Sequence, residues 1–585
     1  MEKWLLKKRN FWPEDISKNF DIPLPVAEIL ARRNFTTFEE IDHYLKRNKE
    51  MTHDPFLMKD MEKSVNILCS KIKNNEKILI SLDYDVDGII SGAISYLGFQ
   101  KLGMQCECIF PHRIKDGYGI NDRIVRYAID NGFGTIITFD NGISAFDAIN
   151  FAIGQGLDVI VTDHHEIPQI LQDGLSKDHL ISATSIINPK QQDCLYPFKK
   201  ICGAMIAYKL LLALNLELGF REEDLADVYP LVSIATICDV MDLEDENRIY
   251  VYHGLDRLKN ISNMGLQALM KLLDLGSLTV YDIGFRIGPC FNSSGRLSTA
   301  QKSFDLLVTD DPDVANKLAT ELIGLNDERK QMTLQATEVA IQKTEEDLLH
   351  KNNIIILFLE DVHESLAGIV AGRLKDRYNI PSIVFCYSEG SYKGSARSTE
   401  DINIFDILSS FKHYFEKFGG HAAAAGMSLS PSAFESFVSE LTAHMNAVPL
   451  SRKKTYYVDA LFPFSVLTMD LVKKFHIFEP TGKGNPEILL ATTKIQVRGI
   501  ERIGKNNNVL KLRLASNKTD RYFVSFSAEK ILEIIKNKMN LSKEHDIINI
   551  LPKKISETEF DILYKVKINE YNDREYLNLE LISIR

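Results

Sequence analysis

The sequence predicts an α/β protein in which a long helix joins two α/β lobes and a small β-barrel follows them. Two stretches of the chain alternate short β-branched runs with amphipathic segments, and a charged helical stretch lies between them. From Thr455 onward, alternating strands are separated by polar turns. A chain of 585 residues also exceeds the roughly 250–300 residues that one hydrophobic core serves, so several domains are expected.

The first α/β stretch follows a mostly helical lead-in that ends near Met51 and carries no chemical motif. Predicted strands lie at 78–82, 135–139, 159–162 and 184–187, with amphipathic segments between them. This rhythm is typical of a parallel sheet wrapped by helices.

The connector helix is predicted to begin at Asp311-Pro312, because a capping acid followed by proline is typical of a helix start. It continues to about residue 346, with apolar residues at four-residue steps. A second α/β pattern then has strands at 354–358 and 382–385 around a helix at 366–378.

The C-terminal region has predicted strands at 494–497, 509–514, 522–525 and 564–568, with a polar turn at 505–508. Such a pattern indicates a small β-barrel. The expected domains are a lead-in at 1–50, a catalytic α/β domain at 51–310, a connector helix at 311–350, a second α/β domain at 351–450 and the barrel at 451–585.

Composition excludes several classes of protein. A hydrophobic fraction of 45% and a charged fraction of 25% exclude disordered, collagen-like and coiled-coil chains. The 69 basic and 80 acidic residues give a net charge of −11, so any nucleic acid must bind locally. Eight cysteines without a C-x-x-C pair indicate a reducing compartment, and without a signal-like start or a long apolar run we expect the cytoplasm.

The strongest chemical signal is the run D-Y-D-V-D-G, which places Asp83, Asp85 and Asp87 directly after the predicted strand 78–82. An EF-hand calcium loop begins similarly. It requires a glutamate at its twelfth position, where this chain has Ile94, and a helix in front rather than a strand. A solvated acidic turn remains as the structural alternative.

Two more predicted strands end in potential metal ligands. Asp140 follows the second strand, and Asp163-His164-His165 follows the third. Because the carboxyl ends of parallel strands meet in one crevice, we expect these side chains to lie within a few ångströms of one another.

Asp239, at the end of the apolar helical run 231–238, is a fourth contributor, with helix capping as its structural alternative. Like charges so close together need a counter-charge, and a divalent metal is the simplest one. A set of mainly carboxylates with one or two imidazoles suits manganese or magnesium better than zinc. This many ligands predicts two ions about 3.5–4 Å apart, an arrangement that supports phosphoester hydrolysis.

The motifs D-Y-D-V-D-G, T-F-D-N-G-I-S, V-T-D-H-H-E and A-T-I-C-D-V-M resemble, in order and spacing, the four motifs of the DHH phosphoesterase superfamily. Within it, the chain resembles the bacterial RecJ family of single-stranded-DNA-specific exonucleases, over roughly Phe56 to the C-terminus. The segments 288–297, 394–398, 418–426 and 479–486 carry the same likeness. The resemblance implies a DHH catalytic domain, a DHH-associated domain and an OB-fold barrel.

The resemblance also implies roles for individual residues. The expected metal ligands are Asp83, Asp85, Asp140, Asp163, His164 and Asp239. The expected catalytic residues are Asp87, His165, Arg296 and His421, the first two as ligands or as orienters of the metal-bound water. A pocket for a 5′-phosphate is expected from Arg113, Ser395 and Arg397, since an arginine fork donates two parallel hydrogen bonds to phosphate.

These additional residues have structural alternatives. Arg113 is otherwise a solvated cation, and Ser395 otherwise belongs to an ordinary turn. We expect Gly419-Gly420-His421 to lead by a tight turn into a small-residue helix at 422–425, whose exposed amides form a phosphate seat unless the glycines serve the turn alone. We expect Lys483 to be solvated.

The barrel has basic side chains that would contact the phosphate backbone of a single strand and aromatic rings on which its bases would stack. Strand alternation predicts that Phe523 is in the core and leaves Tyr522 as a stacking ring. The complete set is Lys505, Lys511, Arg513, Arg521, Tyr522 and Phe523.

The implied activity is degradation of single-stranded DNA from the 5′ end to 5′-mononucleotides, with two Mn²⁺ or Mg²⁺ ions, in DNA repair and recombination. The implied partners are a helicase and a single-strand-binding protein, and we expect a monomer. Two alternatives remain: a DHH-type phosphodiesterase for short oligonucleotides or cyclic dinucleotides, which needs no barrel, and a catalytically silent single-strand-binding scaffold, which would have lost ligands.

Overall fold

A five-stranded parallel sheet organises the first α/β region in the computed structural model, which describes residues 2–113, 116–172, 175–276, 278–516, 519–539, 558–571 and 574–585. All four strands predicted for this region are present, and a fifth lies at one edge. Their order is Cys106–Ile109, Ile78–Ser81, Thr135–Phe139, Asp158–Thr162 and Ser185–Ile187. The central strands are buried, as β-branched runs in a covered parallel sheet should be.

Helices cover this sheet and complete the core. The region also has a small exposed hairpin of Gln169–Gln172 with Leu175–Asp178. The helices are Met61–Lys73, Val86–Lys101, Asp122–Asp130, Phe146–Gly154, Gly203–Glu217, Tyr229–Cys238, Asp245–Leu258 and Met264–Leu272.

The chain divides into two compact units. The large unit comprises Trp4–Gly288, Phe304–Asn316 and Tyr456–Arg585, and the small unit comprises mainly Pro289–Ser303 and Lys317–Thr455. Helices precede the connector at Val280–Asp282, Gly288–Leu297 and Gln301–Val308, with a π-helical turn at Ile283–Ile287.

The connector helix spans Pro312–Glu346, as predicted, and the chain passes along it from the large unit into the small one. Its start is capped by Asp311 Oδ1, which accepts the backbone N–H groups of Asp313 at 2.8 Å and Val314 at 3.2 Å. The structure contains no helix, within the described ranges, that is long and apolar enough to cross a membrane.

A buried ion pair holds two helices of the large unit together. Lys209 Nζ lies 2.9 Å from Glu246 Oε2, and both side chains are fully buried. The ammonium also donates to the backbone oxygen of His53 at 2.6 Å, and the Tyr196 hydroxyl donates to Glu246. Each charge is therefore compensated only while its partner is present.

We expect Lys209→Met to lower the free energy of unfolding by about 3–5 kcal/mol, because the Glu246 carboxylate stays buried without its cation. Urea unfolding of the full-length protein measures this loss. Adding Glu246→Gln should recover part of it, since the amide keeps an acceptor for Tyr196 without the charge. An unchanged unfolding midpoint in Lys209→Met would contradict the assignment.

The small unit contains a mixed five-stranded sheet. Its order is Lys417–His421, Ala424–Leu429, Ser391–Arg397, Ser382–Ser388 and Ile355–Phe358, the last two being parallel. The helices are Glu364–Tyr378, Ile404–Ser409 and Phe434–Ala447.

The predicted helix at 422–425 is wrong. Lys417–His421 and Ala424–Leu429 form an antiparallel hairpin, with His421 opposite Ala424. Four alanines carry no periodicity that favours helix over strand, and pairing of Ala424–Leu429 with Ser391–Arg397 decides the outcome. The phosphate seat expected from helix-start amides is therefore absent from this described segment.

The C-terminal region is a closed five-stranded barrel, since Leu490–Ile503 pairs with both Val509–Ser516 and Glu559–Tyr571. Phe523 is buried in its core, as predicted. The lead-in helices Pro13–Phe20, Leu24–Leu30 and Phe38–Lys46 belong to the same unit, and their apolar residues join the barrel core. The remaining elements include Lys3–Leu6 paired with Thr455–Val458, Ala460–Leu461, Met469–Lys474, Thr519–Ser525, Ala528–Lys538 and Arg574–Ile584.

Candidate metal centre

Acids and imidazoles that follow three neighbouring strands lie together at one edge of the parallel sheet. They are joined by Asp239, the residue at the end of the helix Tyr229–Cys238. His164 Nε2 stands at the centre of this group, 3.1 Å from Asp140 Oδ1, 3.6 Å from Asp87 Oδ2 and 3.7 Å from Asp239 Oδ2. The convergence expected from the sheet topology is therefore observed.

Three overlapping groups of side chains could each hold a cation, with ligand atoms within 4.8 Å of one another. Asp140 belongs to two groups and His164 to two, so the groups form one continuous cluster. The groups are Asp83 with Asp85 and Asp140, Asp87 with His164 and Asp239, and Asp140 with His164 and His165.

The electrostatics of the cluster favour a bound cation. Burial, reinforced by neighbouring carboxylates, raises the pKa values of Asp83, Asp140 and Asp239 well above the ordinary 3.8. Asp83 Oδ1 is buried and accepts no hydrogen bond. Carboxylate oxygens left without protein donors are the ligands that hard divalent ions prefer.

His164 completes this donor set as a neutral imidazole. Burial, together with the charge of His165, lowers the pKa of His164 to about 3. At neutral pH the ring is therefore uncharged and available as a ligand. The residues present thus fit a Mn²⁺ or Mg²⁺ site.

The carboxylate of Asp163 accepts hydrogen bonds from neighbouring protein groups instead of facing the cluster. Its Oδ1 accepts from His164 N at 2.8 Å, His165 N at 3.1 Å and His165 Nδ1 at 2.7 Å, and its Oδ2 accepts from Ile143 N at 2.9 Å. Although burial opposes ionisation, the ion pair with His165 lowers the pKa of Asp163 to about 2 and raises that of His165 to about 9. These contacts hold the His165 ring, and Asp163 belongs to none of the three groups that could hold a cation. Its expected role as a metal ligand stays a prediction.

Asp85 and Asp87 link the cluster to two helix starts. Asp85 Oδ1 caps the helix Val86–Lys101 by accepting from Asp87 N at 2.9 Å and Gly88 N at 3.2 Å. The Asp87 carboxylate accepts from Gly203 N at 2.6 Å and Ala204 N at 2.8 Å, and burial with the charge of Asp85 raises its pKa to about 6. Both acids thus have defined orientations.

Tyr118 is a residue of the site that sequence reasoning missed. Its hydroxyl donates to the backbone oxygen of Asp140 at 2.5 Å and lies 3.3 Å from either ring nitrogen of His165. Asp140 has a left-handed backbone, with φ of 61°, which this contact helps to hold. The sequence feature that could have drawn attention to Tyr118 is the G-Y-G pattern, which indicates a tight turn. Both of its glycines have positive φ.

Arg113 lies in the same unit as the cluster. Its guanidinium stacks over the Tyr84 ring at 4.6 Å from the centroid, and its charge opposes the rise in the pKa of Asp83. It is therefore close to the carboxylates rather than simply solvated.

The other predicted site residues belong to the small unit. Arg397 Nη1 donates to Ser395 Oγ at 3.1 Å, so these two are brought together. Gly368 packs closely against both Ser395 and Arg397, since a Cβ at this position would lie 2.6 Å from Arg397 Nη2. Arg296 Nη1 donates to the backbone oxygen of Ser365 at 2.5 Å, and His421 is exposed at the end of its strand.

Three family profiles match the chain. The DHH family N-terminal domain matches residues 77–236, the DHHA1 domain matches 351–447, and the RecJ OB domain matches 458–583.

Among curated relatives, the single-stranded-DNA-specific exonuclease RecJ of Bacillus subtilis is 32% identical over 96% of this chain and 68% of its own length. The protein of the same name from Escherichia coli is 32% identical over 72% of this chain and 75% of its own.

Among solved structures, RecJ of Thermus thermophilus in complex with Mn²⁺ is 24% identical, with a TM-score of 0.80 over 100% of this chain and 79% of its own. An exonuclease RecJ bound to manganese is 28% identical, with a TM-score of 0.57 over 67% of this chain and 96% of its own.

Proposed function

The chain belongs to the RecJ family of single-stranded-DNA-specific exonucleases, and on that premise we propose that its carboxylate–histidine cluster cleaves the 5′-terminal nucleotide from a single DNA strand with two Mn²⁺ or Mg²⁺ ions. The observation that supports this most is the crowding of Asp87, Asp140 and Asp239 around neutral His164. Asp83 joins Asp140 in a further group that could hold a cation, and its Oδ1 lacks a protein donor.

The residues that would hold the ions are Asp83, Asp85, Asp87, Asp140, His164 and Asp239, with Asp163 orienting His165. Bound cations would supply charge neutralisation of the phosphate and a more acidic water.

The protein's own residues then position the substrate. His165 is cationic at neutral pH, and Asp163 fixes its Nδ1, so the half-exposed ring presents its other N–H to a phosphate oxygen. In the reaction, water attacks phosphorus and the bond to the 3′ oxygen of the first nucleotide breaks. That oxygen takes up a proton, and the shortened strand keeps a new 5′-phosphate.

We assign Arg113, Ser395 and Arg397 to the 5′-phosphate. Burial lowers the pKa of Arg397, and no carboxylate within the described residues forms a salt bridge with it, so its guanidinium suits an incoming anion. Arg296 and His421 remain candidates for contacting the scissile phosphate, His421 through its imidazole alone.

The test is digestion of single strands labelled at either end. With Mn²⁺ or Mg²⁺, a 5′-phosphorylated, 5′-labelled strand should release labelled mononucleotide at once, whereas a 3′-labelled strand should shorten stepwise. Preference for dinucleotides over long strands would favour the short-oligonucleotide phosphodiesterase. Strand binding without metal-dependent hydrolysis would favour the silent scaffold.

The proposed setting follows from the substrate. A single-strand-specific enzyme in DNA repair and recombination needs a helicase to expose its strand and shares that strand with a single-strand-binding protein. We propose these as its partners, acting with a monomer in the cytoplasm.

We expect Tyr118→Phe to lower kcat by about two- to 13-fold, the effect of one hydrogen bond worth about 0.5–1.5 kcal/mol. The ring remains in place, so KM for a single strand should change less than twofold. Steady-state kinetics on a 5′-phosphorylated strand measure both constants.

Tyr127→Phe is the matched control, because its hydroxyl donates to Glu107 outside the cluster. It should leave kcat unchanged. Equal kinetics for the wild type and Tyr118→Phe would exclude a positioning role for the hydroxyl.

A further inference from the structure

Two exposed aromatic rings stack on the surface of the large unit. Tyr281 and Phe285 have ring centroids 4.9 Å apart and an interplanar angle of 23°, and they are 65% and 68% exposed. Within the described residues, this is the one stacked pair in which both rings are largely exposed. Contact between side chains four residues apart stabilises a helix by only about 0.2–0.5 kcal/mol. Two large rings left this exposed next to each other therefore suggest a ligand.

The turn that carries these rings packs against the helix that ends at Asp239. Ile283 and Ile287 of this π-helical turn are buried, and Cys238 Sγ lies 3.8 Å from the Ile283 backbone oxygen. A Cβ on Gly288 would lie 2.4 Å from Cys238 Sγ, so the two segments are in close contact. The exposed rings are thus fixed to the element that positions a residue of the metal centre.

A lysine on a well-ordered loop lies beside the same turn. A Cβ on Gly482 would lie 2.8 Å from Leu243 and 4.0 Å from Val280, which directly precedes Tyr281. Leu243 N donates to the Lys483 backbone oxygen at 2.7 Å, and buried Asn485 donates to two carbonyl groups of the loop. These hydrogen bonds hold the loop against Leu243.

The Lys483 side chain is 59% exposed and lies 3.4 Å from Asp242 Oδ1. Its charge also opposes the rise in the pKa of Asp239. This cation, expected from the sequence to be simply solvated, pairs with Asp242, three residues after the cluster residue Asp239, on a loop that contacts Val280.

We propose that Tyr281 and Phe285 form a stacking platform for nucleobases of the single strand outside the metal centre, with Lys483 contacting the adjacent backbone phosphate. The inference rests on the proposed function and names a second binding site for the same substrate. Unpaired bases are planar and apolar on their faces, and every base stacks on an aromatic ring, so the contact is independent of sequence. A cation next to the rings suits a strand that alternates bases with phosphates.

The experiment uses the full-length protein in chelator with a 5′-phosphorylated 20-nucleotide single strand. Tyr281→Ala with Phe285→Ala should weaken binding by about five- to 100-fold, the loss of one or two base stacks. A second measurement uses strands that carry the fluorescent base 2-aminopurine at successive positions. Binding of the wild type should quench the 2-aminopurine fluorescence at one or two adjacent positions, and the double variant should lose that quenching. With metal, turnover of a 5′-phosphorylated dinucleotide should stay within twofold of wild type.

Tyr387→Ala is the matched control, because this ring is also 55% exposed but belongs to a hairpin of the small unit. Equal weakening by this control, retained quenching in the double variant, or an equal loss on the dinucleotide would overturn the platform. A wild-type chain that neither binds nor digests the strand would instead overturn the proposed function.

Discussion

Replacement of Asp140 by Asn should reduce hydrolysis of single-stranded DNA on the order of 10³-fold or more. Asp140 is shared by two of the three cation-holding groups, so its loss weakens the whole cluster. Loss of a partner that only orients a ligand already costs about 10–100-fold, and a shared ligand should cost more. The measurement is metal-dependent release of mononucleotide from a 5′-phosphorylated strand.

The same variant should make the metal-free protein more stable. Burial and the charges of Asp87 and Asp85 raise the pKa of Asp140, so its ionised form is unfavourable in the folded state. An amide of the same shape removes that charge, and thermal unfolding in chelator should shift to higher temperature. Asp147→Asn, on an exposed helix start, should leave activity unchanged and should not raise stability, since it removes only a first-turn charge worth about 0.3–1 kcal/mol. Hydrolysis within tenfold of wild type would exclude Asp140 as a ligand.

Metal removal should abolish activity and leave a protein whose stability falls as pH rises from about 6.5 to 9. Several carboxylates have raised pKa values in the folded state, so the stability from their protonated forms is present at low pH and lost as pH increases. The pKa of His165 is raised to about 9, so its contribution is complete below 6.5 and is lost as pH rises through 9. The two effects have the same sign, and the window from about 6.5 to 9 is that of His165.

Mg²⁺ should counteract this loss because it replaces the protons that the carboxylates release. At 100 times its Kd, a ligand of the folded state adds about 2.7 kcal/mol. The increase in Tm on adding Mg²⁺ should therefore be larger at pH 8.5 than at pH 6.5, as differential scanning calorimetry of chelated and loaded protein measures. In Asp140→Asn the dependence on pH should be smaller. An increase in Tm that is independent of pH would contradict cation binding by this cluster.

The convergence of acids and imidazoles was predictable because it depends on topology alone. Strand ends of a parallel sheet meet at one edge, so residues directly after the strands, such as Asp83 and Asp140, are brought together whatever the local detail. The contacts of Asp163 were not predictable in this way. They depend on which backbone amides the turn at His164 directs toward the carboxylate, and residue types do not define that geometry.

Other differences between the sequence-based predictions and the structure have similar causes. Tyr118 reaches the site from a loop 22 residues before Asp140, and nothing in a single tyrosine indicates which carbonyl group its hydroxyl contacts. The segment 422–425 forms a hairpin because strand pairing with a distant segment outweighs the weak local preference of alanines. Lys483 gains its position from glycines that allow its loop to approach Leu243 closely.

The shared core of the lead-in helices and the C-terminal barrel has a consequence for synthesis of the protein. Ile16 and Ile29 emerge from the ribosome long before Phe560 and Leu581, yet all four residues belong to the same core. This core can close only after Phe560 and Leu581 have been synthesised, so the apolar faces of the lead-in helices stay uncovered until then. During that interval the nascent chain should depend on chaperones that shield such faces, and translation that stops early should leave an aggregation-prone product.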